Sequence, residues 1–290
     1  MNTVWSKYIQ GTGTLYYSRM LRFSDIFRER YTSVFGIRNG DDILEVGCGP
    51  GALCQALRRW YPRSDVTGID LDDAFIKFAS EQSPDIKYLT GDVTALPFRD
   101  HSFGVTISNT VSEHIEPSKF FGEQYRVLRP GGVCIVLSAR RGISVQAPCI
   151  AECSEEETRL WEKCGAVHDG RRRRYGVGAY HTDEAELPRV MEQYGFRDVS
   201  TEYITVSLTP DSPQYPRGMA LAMIEAGRRN DLDAIEAFSS GEDGALTADE
   251  AERLVRMTNE KFDRRAALYN AGVRQWDTEV ALTMVVRGVK

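Results

Sequence analysis

Nine residues, ILEVGCGPG at 43–51, hold the densest chemical information in the chain. Glu45 stands inside a short apolar strand, two residues before a bend containing Gly47, Gly49 and Gly51, with Cys48 between the first two. Three glycines in one loop permit positive φ and let a ligand lie directly against main-chain amides. The helical spacing that follows, Ala52 and Leu53 through Ala56, Leu57 and Trp60, gives the order strand, loop, helix of a nucleotide-binding turn. Nineteen residues after Gly51 the run VTGID ends in Asp70, followed by Leu71. A carboxylate at the tip of a second strand offers two accepting oxygens to a ribose diol. A third strand-like run, IKYL at 86–89, leads to Gly91, Asp92 and Val93. An acid at that place suits the amino edge of adenine, which needs an acceptor.

The glycine loop alone leaves a dinucleotide site open, because Gly47, Gly49 and Ala52 also satisfy the looser dinucleotide pattern. The elements downstream weigh against that. FGVTISN reads as a fourth buried strand from about 103 to 108 that ends in Asn109 and continues to Glu113 and His114. EQYRVLRPGG reads as a helix halted by Pro130, Gly131 and Gly132, and VCIVLS supplies a fifth strand.

Residues 41–138 resemble the Rossmann-like core of class I S-adenosylmethionine-dependent methyltransferases, in the small-molecule, methyltransferase type 11-like branch. Four motifs in order carry the likeness: the E-x-G-x-G-x-G loop, the acid ending strand two, the G-D after strand three, and L-R-P-G-G before strand five. Gly104 departs from the family's usual aspartate, and SNTV at 108–111 is not the N/D-P-P-Y/F element of the relatives that methylate DNA amino groups. The resemblance implies an α/β fold: a doubly wound, seven-stranded, mostly parallel sheet with strand 7 antiparallel, an N-terminal helical cap and a helical insertion between strands 6 and 7. It implies S-adenosyl-L-methionine as cofactor. The loop of Gly47, Cys48, Gly49 and Gly51 would pack on the methionine portion, with Glu45 orienting the loop or the amino group. Asp70, with Leu71 beside it, would take the ribose, and Asp92 and Val93 the adenine. Asn109 would present its backbone carbonyl to the methionine amino group. Taken singly, Glu45 and Asp92 read as ordinary strand-end residues; the ordered set reverses that.

Around this core the expected boundaries are a cap at 1–40, a core at 41–208 with an insertion at about 139–182, a helical insertion or lid at 209–276, and a last core strand at 277–290. In the cap, 14–35 reads as one helix. Tyr16, Tyr17 and Arg19 are candidates for the substrate pocket wall, with simple core packing of the tyrosines as the competing account. In the first insertion Ser154 and Glu157 form a capping box that starts a short helix through Trp161, and Arg171–Arg174 between glycines read as a mobile basic loop. In the second, Thr247 and Glu250 start an amphipathic helix that serves either as a roof for the pocket or as a homodimer contact.

If the acceptor is a phenol or hydroxyl, a base helps: His114 is the nearest by motif and His181 the second choice, against an account in which His114 caps or packs the next helix. Cys149, Cys153 and Cys164 with His168 are too loosely spaced for a paired thiolate site, so no metal is expected. Six cysteines without regular pairing fit reduced thiols. A net charge of −6 gives no pull toward nucleic acid, and neither a signal-peptide core nor a membrane-length apolar run occurs, so a cytoplasmic enzyme with a small-molecule substrate is expected. An NAD(P)-dependent oxidoreductase and a non-catalytic cofactor-binding protein are the competing functions.

Overall fold

Ile43, Leu44, Glu45 and Val46 are all buried, and this strand, β1 (Ile43–Val46), lies at the middle of a seven-stranded sheet. The others are β2 (Val66–Asp70), β3 (Lys87–Thr90), β4 (Phe103–Asn109), β5 (Leu128–Val145), β6 (Arg197–Leu208) and β7 (Thr278–Val289). The computed structural model describes residues 4–239 and 244–290. Strand order is β3-β2-β1-β4-β5-β7-β6. The first five strands run parallel, while β7 pairs antiparallel with both β5 and β6. The chain leaves β3 at one edge and re-enters at β4 beside β1. That reversal opens a crevice at the carboxyl ends of β1 and β4, where open α/β sheets bind ligands.

Apolar alternation along the strands divides the core in two. Ile43, Val105, Ile107, Ile135 and Leu137 pack on one face, and Leu44, Val46, Cys134 and Val136 on the other. Because side chains alternate across a strand, Glu45 shares the face of Ile43, beneath the N-terminal helices. The fully buried Trp60 anchors that face, with its ring stacked 5.5 Å from Tyr31. Burying each such aromatic contributes roughly 1.5–3 kcal/mol.

The N-terminal segment is not one helix. It is divided into Thr12–Arg22, a 3-10 turn Asp25–Phe27 and Arg28–Phe35. Ser24 is extended at the break, and Asp25 accepts hydrogen bonds from Trp60 Nε1 and Arg59. The bend lets Phe23, Phe27, Tyr31 and Phe35 all bury. The helix Pro117–Val127 ends before Pro130, because Leu128 already pairs with Phe103 in the sheet.

Both long insertions are helical, and they pack together. Leu160 and Cys164 of helix Glu155–Arg174 share one apolar cluster with Ile235 and Phe238 of helix Arg217–Ser239 and with Leu254 of helix Ala248–Asn270. The expected basic loop at 171–174 is the last turn of the first of these helices. Four arginines there face the negative end of the helix dipole, and the helix runs through Gly165 and Gly170 without a break. Buried Arg265 joins this subdomain to the sheet through ion pairs with Asp211 and Asp277.

Candidate active site

The glycine loop is bound to the tip of β2. Gly47 and Cys48 amides donate to Ile69 O, at 2.8 and 3.0 Å. The Gly49 amide donates to Asp70 Oδ2 at 2.8 Å, and Asp70 Oδ1 accepts from the Asp72 amide at 2.9 Å. Positive φ is needed here: Gly47 has φ +69°, and a Cβ on it would come 2.5 Å from Val111 Cγ2. Gly51, at φ +86°, has Tyr88 Oη 2.6 Å from the place of a Cβ. Gly51 shapes the loop from beneath and does not line the cavity it borders.

That cavity, about 1560 Å³, brings together Glu45, Gly47, Cys48, Gly49, Asp70, Leu71, Asp92, Val93 and Asn109. Glu45 is buried, and its Oε2 has no hydrogen-bond partner. Desolvation pushes its carboxyl up to about 8, only partly relieved by hydrogen bonds with Cys54. Burial likewise raises Asp70 to about 6, opposed by the Asp72 and Gly49 amides. Asp92 is exposed and closes a turn by accepting from the Thr94 amide and hydroxyl. Half-exposed Leu71 and buried Val93 supply apolar surface between the two acids.

The N-terminal segment lines one side of the cavity. Ser6 donates its amide and hydroxyl to Asp72, at 2.9 and 3.0 Å, while Asp72 also caps helix Asp73–Gln82. The ring of Trp5 lies 4.7 Å from that of His114, and Tyr8 stacks on Tyr175 at 5.6 Å. Thr14 binds Asp233 through its amide and hydroxyl. The opposite wall is one face of helix Glu155–Arg174, where Trp161, Cys164, His168, Arg172 and Tyr175 follow at helical spacing.

Several expectations need correction. Tyr16 and Tyr17 do not line the cavity: Tyr16 is buried and donates to Gln55 Oε1, and Tyr17 packs edge-on against it under the Arg229 guanidinium. Arg19 does line it. His181 lies outside, beside a separate shallow depression with Pro117 and Glu186. His114 is on the cavity wall, but its Nδ1 accepts the Gly178 amide at 2.9 Å. The neutral ring therefore carries its proton on Nε2, and this nitrogen donates rather than accepts. Burial holds His114 below its ordinary value, as it does His168. The thiols are dispersed: Cys164 is in the insertion core, and Cys153 accepts from Lys261 Nζ at 3.0 Å. Among the described residues no cluster of His, Cys, Asp or Glu is arranged to hold a metal ion, and no helix is long and apolar enough to cross a membrane. The residues missed from the sequence are Asp72, Thr110 and the helix face at 161–175. Only Asp72 had a local signal, as the N-cap of an apolar helix.

This strand order with an antiparallel β7, and acids at the ends of β1, β2 and β3 around a glycine loop, define the class I methyltransferase architecture. Residues 44–136, about a third of the chain, match the family described as "Methyltransferase domain". Similar proteins include a phthiotriol/phenolphthiotriol dimycocerosates methyltransferase of Mycobacterium tuberculosis, 39% identical over 97 residues, covering 32% of this chain and 36% of the relative. A demethylmenaquinone methyltransferase of Renibacterium salmoninarum is 34% identical over 113 residues, covering 38% and 46%. The matches thus span about a third to a half of those relatives' length. In fold, the chain is similar over 100% of its length to 60% of Haemonchus contortus phosphoethanolamine N-methyltransferase 2, solved with S-adenosyl-L-methionine, at a TM-score of 0.56 and 17% identity.

Proposed function

We propose that this protein is an S-adenosyl-L-methionine-dependent methyltransferase that transfers the methyl group to a small-molecule acceptor in the cavity. The observation that carries the proposal is the unpaired, buried carboxylate oxygen of Glu45 facing the same space as Asp70 and the glycine loop. A carboxylate buried at such cost fits a cationic group, and the cofactor's amino group is one. Asp70 keeps one lone-pair direction per oxygen for the ribose hydroxyls after accepting two amides. Leu71 and Val93 fit the faces of adenine, with Asp92 at its edge. A nicotinamide dinucleotide would use the loop and Asp70 but would leave the acid inside β1 without a cation.

Cavity size supports a second ligand. Single-ligand pockets run to about 300–1,000 Å³, and 1560 Å³ exceeds that range. The bound sulfonium supplies an electrophilic methyl carbon, while the protein lines up the nucleophile, excludes water and, for a hydroxyl acceptor, takes a proton. Trp5, Tyr8 and Tyr175 line the cavity, and the face of helix Glu155–Arg174 supports an acceptor wall. His168 faces the cavity with no hydrogen-bond partner among the described residues, and burial favours its neutral form. It is a better base than His114, whose accepting nitrogen is occupied. No disulfide joins the described cysteines, which supports a reducing compartment such as the cytoplasm.

Calorimetric titration tests the proposal. S-adenosylhomocysteine should bind with a Kd on the order of micromolar and NAD(H) should give no heat. Binding of NAD(H) alone would favour the oxidoreductase, and cofactor binding without methylation of any metabolite pool would favour a non-catalytic role.

A further inference from the structure

Helix Glu155–Arg174 and its cap present one straight face to the cavity. Trp161, Gly165, His168, Arg172 and Tyr175 succeed one another at alternate steps of four and three residues, and all of them border the cavity. Cys164 and Arg171 lie one residue round and pack on helix Arg217–Ser239. Cys164 clusters with Ile235 and Phe238, and Arg171 donates to Ala237 O at 2.7 Å.

Gly165 is the gap in that face. Glycine weakens the middle of a helix relative to alanine, so its presence calls for a reason in backbone geometry or in packing. Neither holds here: Gly165 is not among the glycines of positive φ, and no described atom lies within 4 Å of the place of its Cβ. By contrast, a Cβ on Gly227, in helix Arg217–Ser239, would come 3.0 Å from Phe262 Cε1. Gly170 is as open as Gly165 but does not border the cavity, so openness alone says nothing. What sets Gly165 apart is its place on the cavity wall, with Trp161 one turn before it and His168 one turn after.

The chemistry of this stretch is mostly apolar. Ala234, Ala237 and Phe238 border the cavity from the neighbouring helix, with the Phe238 ring edge-on to His168 at 6.1 Å. Of the acids that this helix brings to the cavity, Asp233 is engaged by the Thr14 amide and hydroxyl, and Glu236 is partnered as well. From Trp161 to His168 the imidazole is the polar cavity-lining group without a hydrogen bond among the described residues. Such a surface suits a ligand with a flat apolar body and a single polar group.

We propose that Gly165 is the specificity-determining residue of the acceptor site, its bare backbone leaving room for the ring of an aromatic hydroxyl compound between Trp161, His168 and Phe238. This rests on the methyltransferase reading above and gives the acceptor a chemical class. Alanine at 165 narrows the space, and leucine fills it.

Titration calorimetry with 1-naphthol, in the presence and absence of S-adenosylhomocysteine, tests the proposal, with choline as a hydroxyl compound that has no ring. Wild type should bind 1-naphthol and give no heat with choline. Gly165→Leu should weaken 1-naphthol at least about tenfold, the scale of a steric change within an apolar pocket, and Gly165→Ala should lose less. Gly170→Leu, on the same helix but off the cavity, should bind 1-naphthol as wild type does. Both leucine variants should melt no lower than wild type and should keep its affinity for S-adenosylhomocysteine, which separates a filled slot from a damaged fold. Unchanged 1-naphthol binding in Gly165→Leu, an equal loss in Gly170→Leu, a clear fall in Tm for Gly165→Leu, or wild type that takes choline in place of 1-naphthol would overturn the assignment. If wild type binds 1-naphthol in a Gly165-dependent way but no S-adenosylhomocysteine, the cofactor reading fails while the slot stands.

Discussion

Replacing Glu45 with Gln should make the unliganded protein more stable than wild type at alkaline pH and leave it close to wild type in mild acid. The carboxyl titrates near 4.5 in the unfolded chain and at about 8 in the folded one. Between these values the folded state retains a proton that the unfolded state has lost, so this group's contribution to stability is fully present below 4.5 and is lost as pH rises to 8. Each pH unit in that interval is worth about 1.4 kcal/mol, so the variant should gain up to about 4 kcal/mol on wild type from pH 5 to pH 8. The groups around it set the scale: Asp70 adds repulsion, Arg19 attraction, and Cys54 and Cys48 lie on the same side. Asp70 titrates in both proteins and largely cancels in the difference. Urea unfolding of both proteins at four pH values measures the effect. A difference that stays flat within about 0.5 kcal/mol would mean that Glu45 is ionised throughout, and the argument from its orphan oxygen would collapse. The same carboxyl must ionise to receive an ammonium, so S-adenosylhomocysteine should bind more tightly from pH 6 to 8 with close to one proton released. The amide variant should lose that release.

Two further outcomes follow from other parts of the molecule. Ring-nitrogen NMR should find His114 as the Nε2-protonated tautomer, titrating below 6.5, and His114→Gln should keep methyl transfer within about threefold because Gln can also accept the Gly178 amide; a general base would cost roughly 10²–10⁴-fold. Arg265→Met should destabilise by about 3–5 kcal/mol in urea, because Asp211 and Asp277 lose their buried cation, and adding Asp211→Asn and Asp277→Asn should recover much of it.

The glycine-loop half of the candidate site was legible because it is local. Glu45, the glycines, Asp70 and Asp92 each sit at the end of a short strand, and strand ends in a parallel sheet converge at one edge whatever the loops do. The half built from the cap and the insertions was not. Tyr16 and Arg19 are three residues apart in one helix, yet one is turned to the core and the other to the cavity, a rotation that the bend at Ser24 and the docking of Asp25 on Trp60 fix. The arginine run looked like a loop because its apolar contacts are distant: Arg171 bonds Ala237 O and lies over Phe238, residues of the other insertion. His114 and His181 were chosen by proximity in sequence, but a ring's role depends on which nitrogen is occupied.

By itself the sequence determined the strand order's repeating unit, the loop and its three acids, since hydrophobic period, glycine conformation and strand-end chemistry act within a few residues. Tertiary structure alone decided that Arg19 and Glu45 line one cavity, that two distant insertions contribute to its wall, and which histidine keeps a free nitrogen. Those outcomes depend on burial and on partners far along the chain, as with Gly178 for His114, and desolvation is a property of the packed molecule rather than of any stretch of chain.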